Sequence, residues 1–143
     1  MKELIEIPAV LVTGSLVGVE FGVAAFSHPL LARLPDDAFR AARSESSRVL
    51  GKAMPFWYIA SLALLVAAAV IARSPLVGAA VVLMAAAILL TVTVLVPINN
   101  RVAAWSAGGE VSYELADRWD QLHWLRVASL AALFVLLTVG CFG

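Results

Sequence analysis

Four long apolar stretches divide this 143-residue chain, and they constrain its fold more than any other feature. Each has roughly the 17–25 residues that an α-helix needs to cross about 30 Å of hydrocarbon. With 62% hydrophobic and 14% charged residues and a mean hydropathy of +0.95, the composition suits a lipid environment. We therefore expect residues 1–143 to form one domain, an all-α integral membrane four-helix bundle. Its predicted spans are about Ile7–Ser27, Phe56–Ala72, Leu76–Val96 and Leu125–Phe142.

The connections between the spans are unequal in length. Only Arg73-Ser74-Pro75 joins the second and third spans, so we expect those two helices to be antiparallel neighbours. Pro29–Pro55 and Pro97–Trp124 are long and polar, and each contains a segment that could form a short amphipathic helix near the interface. Both long loops lie on the same side of the membrane.

The distribution of basic residues predicts the orientation. Lys2 and Arg73 fall on one side, and the other basic residues fall on the side of the long loops. Because cytoplasmic loops carry an excess of Lys and Arg, we predict a multi-pass protein of the cell membrane, with both termini outside and both long loops cytoplasmic. The residues on the loop side are Arg33, Arg40, Arg43, Arg48, Lys52, Arg101, Arg118 and Arg126.

Charge and cysteine content exclude other classes of function. Ten Lys and Arg balance ten Asp and Glu without a basic stripe, so we expect no nucleic-acid binding. The single cysteine, Cys141, can form neither an intramolecular disulfide nor a cysteine-based metal site. No clear small-residue cleavage site follows the N-terminal MKELIEIPAV, so we expect no removable signal peptide.

Glu20 and His28 are the unusual residues of the first span. A carboxylate in a membrane segment costs about 2.5–3.5 kcal/mol and persists mainly where it faces a cavity or a partner. The alternative is a protonated or Arg-paired Glu that only locks two helices together. Pro29 predicts that the helix ends at His28. At about 80° apart around the helix, Glu20 and His28 can border one cavity.

A stripe of small residues, Gly14, Gly18 and Gly22, marks another face of the first span. Such a stripe lets a second helix approach closely. We predict close packing inside the bundle, with a homo-oligomer contact as the alternative. Glu20 lies roughly 160° from Gly18 and should face away from the stripe.

The end of the third span carries a second group of polar residues. Asn99 and Asn100 follow Pro97 and offer both donors and acceptors, although they could simply satisfy the broken helix end. Trp105, four residues after Arg101, could cap a site or belong to the interfacial aromatic belt.

The segment Asp117–Arg126 leads into the fourth span. Helical spacing sets Trp119, Asp120, His123 and Arg126 on one broad face. Asp120 could orient the His123 imidazole and raise its basicity. A solvated, ion-paired helix start is the alternative, but it explains His123 and Arg126 less well.

These positions converge on one end of the bundle and predict a pocket with a general base, hydrogen-bond donors and a charge stabiliser. The predicted pocket comprises Glu20, His28, Asn99, Asn100, Asp120, His123 and Arg126. An alternative is a two-histidine, two-carboxylate metal centre for iron, copper or zinc, although no close ligand motif supports it. Its ligands would be His28, His123, Glu20 and Asp120.

The chain resembles the anthrone oxygenase-like family of small four-helix membrane proteins. The resemblance rests on a glycine-rich first span ending near His28-Pro29, on Pro97-Ile98-Asn99-Asn100-Arg101, and on Trp119 with His123 and Arg126. It implies a membrane monooxygenase of secondary metabolite biosynthesis that oxidises an anthrone-like or other electron-rich, lipophilic substrate with dioxygen, without a prosthetic group.

The implied mechanism assigns roles to the pocket residues that follow the third span and lead into the fourth, and it does not include Glu20 or His28. His123, oriented by Asp120, would remove a proton from the substrate, and the carbanion would react with dioxygen. Arg126 with Asn99 or Asn100 would stabilise the developing oxyanion. The expected substrate-binding residues are Trp105, Trp119 and Arg101.

A non-enzymatic reading stands beside the enzyme. The chain could be a small transport or assembly subunit that oligomerises through the glycine stripe, with Glu20 as a proton-coupled site. Its small size speaks against a transporter unless several copies assemble.

Overall fold

The computed structural model describes residues 1–108 and 110–143, and within them it consists of four long helices. Each helix is long and apolar enough to span a membrane, so the predicted four-helix membrane fold is confirmed. The helices are α1 (Glu3–Leu31), α2 (Asp36–Ala72), α3 (Pro75–Ala107) and α4 (Tyr113–Phe142). They pack as a ring in chain order, with α4 closing against α1.

The helices extend beyond the predicted spans at the polar end of the bundle. α2 already begins at Asp36. The negative charges of Asp36 and Asp37 in its first turn stabilise the helix, because the N-terminal end of the helix dipole is positive. α3 continues to Ala107, and α4 begins at Tyr113 after the Ser112 side chain caps it. Within residues 1–108 and 110–143, the two long polar loops are therefore mostly continuations of the spans, and their amphipathic segments belong to the long helices and do not form separate ones.

Pro29 does not end α1, so that prediction is wrong. The segment Val23–Ser27 forms a π-helical turn, and the His28 N–H donates to the Val23 carbonyl five residues earlier. This wider turn accommodates a proline that follows it, and α1 continues to Leu31.

The same arrangement recurs in α3. Thr91–Leu95 forms a second π-helical turn, in which the Val96 N–H donates to the Thr91 carbonyl. Pro97 follows directly, and the helix continues. Both π-turns lie beside the polar residues of α4 described below.

Two apolar clusters fill the bundle and leave a polar layer between them. The larger draws on all four helices and includes Leu16, Leu65, Met84 and Leu130. The smaller lies at the polar end. Its buried members are Phe39, Leu95, Ile98, Val102, Trp105, Ala116 and Trp119.

The glycine stripe packs inside the bundle only at Gly14. A Cβ there would lie 3.0 Å from the Phe134 ring of α4, whereas one at Gly18 or Gly22 would meet nothing within 4 Å. Glu20 is buried, whereas Gly18 is exposed, as expected for residues on different faces of α1.

Candidate active site

A buried ion pair between Glu20 of α1 and Arg126 of α4 forms the centre of the polar layer. Arg126 Nη2 lies 3.0 Å from Glu20 Oε1 and 3.2 Å from Oε2. The two residues are only 3% and 5% exposed. A pair this deeply buried is retained only where further hydrogen bonds compensate its desolvation.

Tyr58 of α2 and Thr91 of α3 supply those hydrogen bonds. The Tyr58 hydroxyl donates to Glu20 Oε1 at 2.6 Å, and Arg126 Nη1 donates to Thr91 Oγ1 at 3.0 Å. The Arg126 guanidinium also lies over the Tyr58 ring, 5.5 Å from its centroid. All four helices therefore contribute to one network.

Both ring nitrogens of His123 are engaged in this network. Arg126 Nη2 lies 2.9 Å from His123 Nδ1, and His123 Nε2 lies 3.0 Å from the Glu20 backbone carbonyl. Because a guanidinium can only donate, Nδ1 must accept, and Nε2 carries the proton that it donates to the carbonyl. His123 is thus a neutral ring that holds Arg126 and the backbone of α1 in place.

The expected pairing of Asp120 with His123 is not formed. Asp120 Oδ1 instead lies 2.7 Å from Arg43 Nη2 of α2 and 2.8 Å from His28 Nδ1 of α1. The contact with Arg43 is a hydrogen bond, whereas the one with His28 falls outside hydrogen-bond geometry. Asp120 cannot pair with His123 because Nδ1 of that ring accepts from Arg126, and its only proton, on Nε2, is donated to the Glu20 carbonyl.

The Trp119 indole lies between the Glu20–Arg126 pair and the Asp120–Arg43 pair. It stacks on the His123 ring with centroids 4.7 Å apart, and its Nε1 donates to the Leu95 carbonyl at 3.3 Å. The guanidinium groups of Arg43 and Arg126 lie 5.5 and 5.8 Å from its ring centroid. Trp119 therefore ties the α3 π-turn to α4.

A cavity of about 290 Å³ opens on the Glu20–Arg126 pair. Its walls come mainly from apolar side chains of α2 and α3, and its buried inner end carries Glu20, Tyr58, Trp119 and Arg126. A mostly apolar cavity with a few converging polar groups is the usual form of a small-molecule site. The remaining lining residues are Leu50, Gly51, Met54, Pro55, Ile59, Ile88, Thr91, Val92, Leu95, Val96 and Asn99.

A second, smaller cavity of about 120 Å³ lies on the other side of the network, between α1 and α4. His28, Asp120 and His123 border it, but not Glu20 or Arg126. The predicted cluster is thus divided between two cavities.

Four predicted residues lie at the rim of the site or outside it. Asn99 lines the larger cavity, and its amide donates to the Ser47 carbonyl at 2.9 Å. Asn100 and Arg101 are exposed on the surface of α3. Trp105 is buried in the smaller apolar cluster, where it serves packing.

The proposed metal ligands do not form a metal site. Among residues 1–108 and 110–143, no three His, Cys, Asp or Glu side chains are placed to hold one ion. The physical reason is that Arg126 lies among the donor atoms of Glu20 and His123, while Arg43 occupies Asp120. The buried guanidinium groups of Arg43 and Arg126 repel a metal ion, because it carries the same sign of charge.

Sequence reasoning missed Tyr58, Thr91 and Arg43. Tyr58 and Thr91 are ordinary residues of an apolar span, and Arg43 was assigned to a loop. The available signal was the buried Glu20 itself, because such a carboxylate requires donors from neighbouring helices.

A comparison with protein-family models matches the chain over residues 39–136, more than half of its length, to the anthrone oxygenase model. The match includes most of α2, all of α3 and most of α4, while Glu20 and His28 lie before it. No curated protein and no solved structure matches the chain. With its four membrane-spanning helices and a match over most of three of them, the chain belongs to the anthrone oxygenase family.

Proposed function

We propose that this protein is a membrane monooxygenase that oxidises an anthrone-like, electron-rich aromatic substrate with dioxygen in the cavity beside Glu20. The observation that carries the proposal is the pairing of a carboxylate and a guanidinium at the inner end of an apolar cavity. Family membership supports the oxygenase class.

Glu20 is the proposed general base. It lines the cavity, and a carboxylate has about four acceptor positions, of which Tyr58 and Arg126 use only part. His123 is a poor candidate because its acceptor nitrogen already binds Arg126. Glu20 takes one proton from the methylene carbon of the anthrone, and the charge moves to the ketone oxygen beside Arg126.

The remaining steps use only the substrate and dioxygen. The enolate gives an electron to dioxygen, and the two radicals combine to form a carbon–oxygen bond. The peroxide takes the proton back from Glu20. Loss of the second methylene proton together with hydroxide then leaves a quinone carbonyl and one water. One oxygen atom thus enters the product and the other leaves as water.

The test is oxidation of anthrone by the full chain reconstituted in liposomes under ¹⁸O₂. We expect one dioxygen consumed per anthraquinone formed, and one labelled oxygen in the product, at a rate well above that of empty liposomes. An unlabelled product, or a rate equal to that of empty liposomes, would contradict the proposal.

A further inference from the structure

The larger cavity reaches the outer surface of the bundle between α2 and α3. Ile59 of α2 and Val92 and Val96 of α3 line it, and yet these residues are 65%, 60% and 41% exposed. A side chain that both lines a cavity and lies on the outer surface marks an opening. All three residues lie in helices that are apolar and long enough to span the membrane, so the opening faces lipid.

The π-turn of α3 creates this opening. The parts of α3 before and after it, Pro75–Leu90 and Val96–Ala103, both pack against α2, whereas Thr91–Leu95 packs on α4 and makes little contact with α2. Arg126 and Trp119 of α4 bind this turn at Thr91 and Leu95. The polar network therefore holds α3 away from α2 at the level of the cavity.

The path from the opening to Glu20 is apolar. Of the described lining residues, only Glu20 and Arg126 carry a charge, and both are almost fully buried at the inner end. An aromatic molecule dissolved in hydrocarbon can follow this path without meeting an exposed charged side chain.

We propose that the gap between Ile59 on α2 and Val92 and Val96 on α3 is a lateral entrance, through which a membrane-dissolved aromatic substrate reaches Glu20 directly from the bilayer. This inference rests on the proposed function for the identity of the reaction. It adds that the substrate arrives from the lipid phase and not from water.

The first test closes the entrance with Ile59→Phe and Val92→Phe together, in the full chain reconstituted in phosphatidylcholine liposomes with anthrone dissolved in the lipid. We expect kcat/KM to fall at least about tenfold, mainly through KM, because the catalytic groups are untouched. The matched control is Val70→Phe with Val82→Phe. These valines lie on the same two helices, are 70% and 67% exposed and do not line the cavity.

The second test needs no turnover. Anthracene is dissolved in the same liposomes, and its binding is measured by energy transfer from tryptophan, since Trp119 lines the cavity. We expect energy transfer from tryptophan to anthracene to saturate in the parent and in the control with Val70→Phe and Val82→Phe. The closed variant, with Ile59→Phe and Val92→Phe, should lose this saturable transfer. Ile59→Phe alone, which adds bulk on only one side of the opening, provides a milder closure if the double variant unfolds at a lower temperature.

The two tests separate the two proposals. If the parent binds anthracene in an entrance-dependent manner but does not oxidise anthrone, the lateral entrance stands and the proposed reaction fails. If the parent oxidises anthrone and the closed variant does so equally well, the reaction stands and the entrance is refuted. A parent that neither binds anthracene nor oxidises anthrone would refute the entrance and the reaction together.

Discussion

Arg126 is the residue through which the helices of this protein are connected. Its guanidinium reaches Glu20, Thr91 and the His123 ring at once. A planar fork of five donors makes this geometry accessible to arginine, whereas a lysine ammonium is a single point of charge. The sequence alone could place Glu20 and Arg126 in the site, because a charged side chain in a membrane span needs a partner. It could not predict with which residues each of them pairs.

Asp120 is predicted to be a structural residue. Asp120→Asn removes the negative charge beside the buried Arg43, so we expect the free energy of unfolding to fall by about 1–3 kcal/mol. The turnover rate of the folded variant should stay close to that of the parent. Thermal unfolding in detergent measures the first effect. Asp117→Asn, an exposed position on the same helix, is the matched control. Loss of turnover without loss of stability would instead make Asp120 part of the chemistry.

Metal removal should leave the activity unchanged. Arg126 contacts Glu20 and His123, and Arg43 contacts Asp120, so a cation already lies beside three of the four candidate metal ligands, and dialysis against EDTA should not alter the rate of anthrone oxidation. The measurement is the rate before and after dialysis. A loss that added iron, copper or zinc restores would overturn this expectation.

At the level of helices, the two π-turns explain why the predicted ends were wrong. A proline inside an apolar run ordinarily predicts a helix end, because it lacks a donor. In α1 and α3 the turn before the proline widens instead, and the helix continues past Pro29 and Pro97. In α3 the widened turn also contacts α4 through Thr91 and Leu95, and a local sequence pattern does not contain such contacts.

Pro97→Ala tests the role of the α3 π-turn. Alanine restores a backbone donor, so we expect Thr91–Leu95 to relax toward a regular α-helix, moving Thr91 away from Arg126 and narrowing the gap to α2. The expected result is a fall in kcat/KM of about tenfold without a lower unfolding temperature. Pro8→Ala, inside α1 at the other end of the bundle, should leave the activity as it is. Equal effects of the two substitutions would contradict this role.

At the scale of the whole molecule, the lengths of the four apolar stretches were sufficient to predict the fold class. Four apolar stretches of spanning length admit few arrangements, and the one short connection, Arg73-Ser74-Pro75, places α2 and α3 side by side. The cavity could not be predicted in the same way. It depends on how far each helix is rotated about its axis, and each π-turn changes that rotation for all residues beyond it.

The orientation of the bundle in the membrane remains a prediction from charge. Basic residues are concentrated at the polar end, so we propose that this end is cytoplasmic in the cell membrane and that both termini are outside. In a bacterial host, alkaline phosphatase fused to the C-terminus should be active, and green fluorescent protein fused there should be dark. The reverse pattern would place the polar end outside.

The most direct test of this account compares anthrone-dependent dioxygen consumption by the parent and by Glu20→Gln in the same liposomes. Gln keeps the size of the side chain but cannot accept the substrate proton, so we expect the rate to fall at least about 100-fold. As a control, thermal unfolding of both proteins would establish whether the variant is folded. A folded Glu20→Gln protein that consumes dioxygen as fast as the parent would contradict the central claim that Glu20 is the base.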